Sequence, residues 1–192
     1  MKKALIIAAL ASAATLSYAA SKTVTFDFSD PTTYGYEKPE AGAGTTIPVG
    51  GTIESDGVII ANKYEGTSST AFRFYTADDG SVTLRLGSNG VFSVSAGGSK
   101  ITNIAMTGAN INGTSITLNS GEFGGTASNA TWTGESTEVT FTRIKNTVQF
   151  ATMSVTFDVA EGGETSGSGS EETGLEQYRV GTYDEENNAA VL

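Results

Sequence analysis

Apolar and polar residues alternate along most of the chain with a period of two, which is typical of β-strands whose two faces meet different environments. The alternation begins at Val24, Phe26 and Phe28 and ends at Val155 and Phe157. The same pattern recurs between these ends in the runs 72–75, 82–86, 92–94, 116–118 and 139–141. No stretch of this region repeats with a helical period. The pattern therefore predicts an all-β domain.

Short turn sequences separate the predicted strands. Asn and Asp followed by Gly supply the positive φ angles that tight hairpins require, and this pairing occurs at Asp56-Gly57, Asn89-Gly90 and Asn112-Gly113. Asp79-Gly80 and Gly97-Gly98 end further runs in the same way. About ten short strands joined by such turns predict an antiparallel β-sandwich, jelly-roll-like in organisation, over residues 22–159.

Two of the predicted strands change phase part-way along. Val148 and Phe150 occupy even positions, whereas Met153 and the apolar residues after it occupy odd positions. One extra residue flips every following side chain to the other face, so we expect a bulge or bend near Ala151-Thr152. The spacing of Ile101, Ile104 and Met106 indicates a second slip of the same kind.

The first and last strands carry similar sequences. The run Thr23–Asp27 (TVTFD) is echoed by Ser154–Asp158 (SVTFD), which predicts that the two strands pair where the domain closes. The longest irregular stretch is 29–47, and loops of this length inside a compact domain are often functional or mobile.

The amino terminus has the parts of a cleavable secretory signal. Met1-Lys2-Lys3 precedes an apolar run over 4–11, and Ser17-x-Ala19 places small residues before Ala20. The run is shorter than the about 20 residues of a membrane-spanning helix. We therefore expect removal of residues 1–19, a secreted, periplasmic or cell-envelope location, and no membrane insertion after cleavage.

The composition changes after Val159. Residues 161–172 contain no apolar side chain, which predicts a flexible linker. Residues 173–192 regain a few apolar side chains, so this part is either a short docking tail or the start of a further segment. We treat residues 160–192 as a flexible acidic linker and tail.

The chain is acidic, and the acidity is concentrated in the tail. It carries 11 basic and 21 acidic residues, for a net charge of −10. Loss of Lys2 and Lys3 with the leader leaves nine basic residues and a net charge of −12. Eight of the acidic residues lie in 161–192, where Arg179 is the one basic residue. Without a basic patch to release counterions, nucleic acid is not an expected partner.

The sequence contains no His and no Cys, which removes His-dependent triads, imidazole or thiolate metal sites and thiolate nucleophiles. A carboxylate pair of the glycosidase type remains open, although no pair stands out by its spacing. A Ca²⁺ site using Asp30, Asp78 and Asp79 also remains open, without EF-hand spacing to support it. Otherwise we expect no catalytic residue, no metal site and no cofactor.

Several strand and turn motifs resemble β-sandwich modules that are common in exported proteins of Bacteroides-like bacteria. These motifs are FRFY at 72–75, VTLRL at 82–86, FSVSA at 92–96, KITNI at 100–104, TWTG at 131–134 and VTFT at 139–142. The resemblance covers residues 22–159. It implies a jelly-roll-like sandwich with an envelope or extracellular location, and it assigns no role to any residue.

Aromatic and basic side chains provide the candidate ligand contacts. Trp132 shares the period of core strands, so we predict that it is buried, with a sugar-stacking platform as the alternative. Stacking on sugar rings and hydrogen bonding to hydroxyls are the predicted roles of Tyr34, Tyr36, Tyr64, Arg73, Tyr75 and Arg85, with Asn62 as a further hydrogen-bonding group. In the alternative, the tyrosines close loops over the core and the arginines pair with neighbouring acidic residues.

The sequence is compatible with three functions. The first is a non-enzymatic recognition or adhesion module for a neutral or basic ligand, a glycan above all. The second is a structural envelope component that binds a protein partner through a sheet edge or the tail. The third is a carbohydrate-active enzyme that uses two carboxylates. The sequence favours the first because catalysis has no evident residues to carry it.

Overall fold

The computed structural model describes residues 20–66, 71–87, 89–111, 116–143 and 146–159, together with the backbone of 183–184 and 189–190. The predicted signal, residues 1–19, and most of the predicted linker and tail lie outside the described residues. One 3₁₀ helix spans Pro31–Tyr34. The strands of the domain are β1 Ser21–Asp27, β2 Gly44–Thr46, β3 Thr52–Ser55, β4 Val58–Asn62, β5 Phe72–Thr76, β6 Val82–Leu86, β7 Val91–Ser95, β8 Ile101–Ala109, β9 Ile116–Leu118, β10 Glu122–Gly125, β11 Asn129–Ser136, β12 Glu138–Arg143 and β13 Val148–Asp158.

These strands form two antiparallel sheets that pack face to face. The larger sheet has the order β10-β11-β8-β13-β6-β5-β2, and β1 also pairs with β13. The smaller sheet has the order β3-β4-β7-β12-β9. The chain crosses from one sheet to the other at most connections, whereas the β1–β2 connection and the hairpins β3–β4, β5–β6 and β10–β11 stay within a sheet. The predicted all-β antiparallel sandwich is confirmed.

The core lies between the sheets and is filled by the alternate residues that the period-two pattern marked. Phe92 is at its centre, with its ring centroid 4.8 Å from Phe141 and 5.4 Å from Phe72. Trp132 is fully buried, which confirms the core prediction for this residue.

The predicted pairing of the first and last strands is confirmed. β1 runs antiparallel to β13, with Val24 opposite Val155 and Phe26 opposite Met153. The pairing extends one residue beyond each strand, since the Val159 N–H donates to the Ala20 carbonyl over 2.7 Å.

Both predicted phase changes are register shifts in the pairing of β13 with β8. One shift lies between Phe150 and Thr152, and the other lies between Thr156 and Phe157. At the first, Ala151 is the extra residue, so Phe150 and Met153 both face the core. Gly108 of β8 lies against this bulge, where a Cβ atom would come within 1.8 Å of the Gln149 carbonyl oxygen.

The stretch 29–47 is more ordered than the sequence predicted. The 3₁₀ helix begins after Asp30, whose side chain accepts from the Thr32 N–H, and β2 adds an edge strand to β5. Pro31 and Ile47 are buried. This segment therefore covers one edge of the core, because its scattered apolar residues find partners that no local pattern reveals.

The predicted turns fall where the sequence placed them. Asp56 and Gly57 have φ angles of 48° and 84°, Asn89 has a φ of 55°, and Gly80 has a φ of 84°. The Asn112-Gly113 turn lies outside the described residues. In the tail, the described backbone pairs β14 Tyr183–Asp184 with β15 Ala189–Ala190.

Candidate ligand-binding surface

Three of the predicted ligand contacts meet on the outer face of the larger sheet. Arg73 and Tyr75 lie on β5, and Arg85 lies on the neighbouring β6. Arg73 is directly opposite Arg85, and Tyr75 is opposite Thr83. The residues between them along each strand point into the core, so alternation leaves Arg73, Tyr75 and Arg85 half-exposed on one surface. We call these three residues the arginine surface.

The two guanidinium groups approach the Tyr75 ring. The Cζ atom of Arg85 is 3.4 Å from the ring centroid, and that of Arg73 is 5.2 Å away. Such contacts are attractive because the ring face is electron-rich. Arg85 covers one face of the ring, so this face does not stack on a sugar while Arg85 remains in place. The groups of this surface that remain available for polar contacts are therefore the hydrogen-bond donors of the guanidinium groups.

The arginine side chains are positioned by two neighbours that were not among the predicted ligand contacts. Gln149 of β13 is opposite Arg85, and its Oε1 accepts a hydrogen bond of 3.1 Å from Arg85 Nη2. Gly44 of β2 is opposite Tyr75, and a Cβ atom there would lie 2.8 Å from Arg73 Cδ. Arg73 therefore lies flat across the edge strand. The alternation of β13 predicts that Gln149 faces outward, but only the strand order shows that it lies beside Arg85.

The arginines have no acidic partner within the described part of the chain. The ion pairs found there are Lys22–Asp56, Lys63–Glu138 and Lys100–Glu135. The alternative in which neighbouring acids neutralise the arginines is therefore not found among these residues. The Nε atoms of Arg73 and Arg85 are buried and donate to no described acceptor. A buried donor without an acceptor costs about 1–3 kcal/mol.

The surroundings of Arg85 oppose its charge. Burial lowers the pKa of the Arg85 guanidinium from its ordinary value, and the positive charge of Arg73 acts in the same direction. Tyr75 acts in the opposite direction, in part through a side-chain hydrogen bond. Because arginine is not deprotonated in proteins at neutral pH, Arg85 nevertheless remains a cation. The surface therefore holds two positive charges side by side.

Tyr34 and Tyr36 pack against the core instead of joining the arginine surface. The Tyr34 hydroxyl accepts from the Asp27 N–H over 3.1 Å and donates to the Asp27 carbonyl over 3.0 Å. The Tyr36 hydroxyl donates to the Thr52 carbonyl over 2.9 Å. Both rings lie against Phe74, with centroid distances of 6.3 Å and 5.5 Å. These contacts match the alternative in which tyrosines close loops over the core.

Tyr64 lies apart from the arginine surface, in the loop after β4. Its N–H donates to the Asn62 Oδ1 atom over 3.0 Å. Asn62 is buried, and its Nδ2 donates to the Ile47 carbonyl over 2.8 Å, so its side chain connects loops. No contact among the described residues joins Tyr64 to Arg73, Tyr75 or Arg85. The six predicted contacts therefore do not form one site, and only Arg73, Tyr75 and Arg85 lie together on the described surface.

Two of the three aspartates considered for Ca²⁺, Asp30 and Asp79, form hydrogen bonds within local turns. Asp30 Oδ1 accepts from the Thr32 N–H and hydroxyl, and Asp79 Oδ1 accepts from the Ser81 N–H and hydroxyl. The side-chain hydrogen bonds from Thr32 and Ser81 are the first cause that lowers the pKa of each carboxyl. Across the described ranges, no three acidic side chains come together as a metal site would require.

Comparisons with known proteins add no relative. No family model matches the chain, and neither a curated protein nor a solved structure matches it. The resemblance to exported modules of Bacteroides-like bacteria therefore stays a prediction. Among the described residues, no helix has the length and apolar character needed to cross a membrane.

Proposed function

We propose that this protein is an exported, non-enzymatic recognition module that binds a glycan on the outer face of its larger sheet. The observation that carries this proposal is the arginine surface, where two guanidinium groups lie against one tyrosine ring without an acidic partner among the described residues. Arginine presents several N–H donors in a planar fork, which suits the closely spaced oxygens of a sugar.

The sheet supports this role because it holds the surface in one arrangement. Arg73, Tyr75 and Arg85 lie on paired strands whose inward neighbours Phe74 and Leu84 are fully buried. A surface built on packed strands loses little conformational freedom when a ligand binds, and weak individual contacts then add up to useful affinity.

The composition of the surface favours binding over catalysis. A glycosidase requires two carboxyl groups on opposite sides of the scissile bond. The cross-strand neighbours of the three residues are Gly44, Thr46, Thr83 and Gln149, none of which is acidic. The proposal therefore assigns recognition, and no turnover, to this surface.

Export is the second part of the proposal and rests on residues 1–19. The expected mature protein begins at Ala20, the residue whose carbonyl closes the pairing with Val159. Amino-terminal sequencing of protein recovered from the periplasm or the medium tests this expectation. Mature material that retains Met1 would contradict it.

A glycan array probed with the mature protein tests the recognition role. We expect binding that falls at least tenfold in Tyr75→Ala and Arg85→Ala, with both variants folded by circular dichroism. Arg143→Ala is the matched control, since Arg143 lies on β12 in the smaller sheet. Absence of binding across the array would favour a structural component with a protein partner, and cleavage of any sugar would favour an enzyme.

A further inference from the structure

We infer that Arg73 and Arg85 form a carboxylate subsite, so that the glycan bound by this surface contains an acidic sugar. This inference rests on the proposed function and narrows it to a ligand class. These acidic sugars are uronic and sialic acids, whose carboxylate is attached to the sugar ring. Their carboxylate matches the fork geometry of a guanidinium group, which binds such anions in a bidentate manner.

The placement of the two arginines motivates the inference. Arg73 and Arg85 are direct cross-strand partners, and like charges in this position repel each other. Contacts with the Tyr75 ring offset only part of this repulsion, and no ion pair within the described ranges includes either arginine. A bound carboxylate would lie between two cations and would relieve the repulsion directly.

The donors left free by the protein also fit an anion. The hydrogen bonds to Gln149 and Tyr75 use two of the five N–H groups of Arg85, and the Arg73 Nε atom has no acceptor among the described residues. Since the Nε atoms are buried, the Nη atoms are the donors that a ligand can reach. Gln149 fixes Arg85 without neutralising it, whereas a glutamate at this position would compete with the ligand.

The inference differs from the neutral or basic ligand that the net charge suggested. The overall charge of −10 is a property of the whole chain, and eight of the 21 acidic residues lie in 161–192. Exposed charges separated by more than about 8 Å are largely screened at physiological ionic strength. Because no cross-strand neighbour of Arg73 or Arg85 is acidic, the pair of guanidinium groups sets the local charge that a contacting ligand meets.

Matched pairs of oligosaccharides test the inference on the complete mature protein. The probes are oligogalacturonate and sialyllactose, each compared with its neutral counterpart, carboxyl-reduced oligogalacturonate and lactose. In titration calorimetry, at least one acidic probe should bind at least tenfold more tightly than its neutral counterpart. Higher salt should reduce this preference, because the added contact is between charges.

Variants then assign the preference to the arginines. Arg73→Gln and Arg85→Gln should each weaken the acidic probe about ten- to a hundredfold, the range expected for charged hydrogen bonds. The same two substitutions should weaken binding of the neutral probe much less. Arg85→Lys should restore part of the loss, because it keeps the charge but not the fork. Arg143→Gln should leave the affinity for both probes unchanged.

The outcomes separate this inference from the proposed function. Equal binding of acidic and neutral probes, still dependent on Tyr75 and Arg85, would overturn the carboxylate subsite and leave glycan recognition standing. An acidic preference that survives Arg73→Gln and Arg85→Gln would overturn the subsite as well. No binding of these probes or of any glycan on the array would overturn both proposals.

Discussion

The indole nitrogen of Trp132 donates a hydrogen bond of 2.7 Å to the backbone carbonyl of Ser120. The side chain is fully buried, so this bond satisfies its one polar atom inside the fold. Gly121 and Gly134 allow the backbone to approach the ring, since a Cβ atom on either residue would come within 3.0 Å of it. Trp132 is therefore part of the core and does not serve as a platform for sugars.

We expect Trp132→Ala to lower the free energy of unfolding by about 3–5 kcal/mol, because it removes a large buried ring. Trp132→Phe keeps most of the ring but leaves the Ser120 carbonyl without this donor, and the loss of the hydrogen bond alone should cost about 0.5–1.5 kcal/mol. Urea denaturation followed by circular dichroism measures both. A neutral Trp132→Ala would contradict burial and return this residue to the ligand-contact set.

Gly108→Ala should also destabilise the domain. The added Cβ atom would overlap the Gln149 carbonyl oxygen at the bulge of β13. A Cβ atom is attached directly to the backbone and the carbonyl is part of it, so neither can rotate away. Overpacking of this kind costs about 1–3 kcal/mol. Gly124→Ala on β10 is the control, because its Cβ atom would have no neighbour within 4 Å. Equal denaturation midpoints for the two variants would show that the bulge is not where the structure places it.

Tyr34 should make the domain sensitive to alkali. Burial raises the pKa of the Tyr34 hydroxyl above 10.0, and the charge of Asp27 adds to this effect while a backbone hydrogen bond from Asp27 opposes it. The fold therefore favours the protonated phenol. Its contribution to stability is complete below pH 10 and is lost as the pH rises through the higher pKa of the folded state.

Tyr34→Phe should accordingly show a shallower loss of stability between pH 9 and pH 11 than the unmodified protein. Thermal denaturation at a series of pH values measures this slope. Tyr64→Phe serves as the control, because the Tyr64 hydroxyl makes no hydrogen bond to a described residue. A steeper loss in Tyr34→Phe would contradict the direction of the pKa change.

Deletion of residues 160–192 should leave the denaturation midpoint nearly unchanged. The last backbone hydrogen bond of the domain joins the Val159 N–H to the Ala20 carbonyl, and the apolar alternation ends at Phe157. Guanidinium denaturation of the shortened and complete mature chains provides the comparison. A large drop in the midpoint would instead show that Leu175, Tyr178 or Val180 packs on the domain.

The sequence predicted the local features of the fold well. In the strands that it marked, period-two alternation identified most of the residues that face the core, and breaks in that period located the bulge at Ala151 because one extra residue always reverses the faces. Asn-Gly and Asp-Gly pairs located turns because few residues tolerate positive φ angles. The 3₁₀ helix and β2 were missed, since their stability comes from packing on the core and from pairing with β5.

The candidate surface also combines features that the sequence determines with features that only the tertiary structure decides. Alternation alone determined that Arg73, Tyr75 and Arg85 face away from Phe74 and Leu84, because neighbouring residues of a strand point to opposite sides. Only the tertiary structure placed Arg73 opposite Arg85 and Gln149 beside Arg85, and only the tertiary structure packed Tyr34 and Tyr36 against the core. Strand order and register depend on contacts between residues far apart in the chain. Gln149 lies 64 positions from Arg85, and no local pattern encodes their meeting.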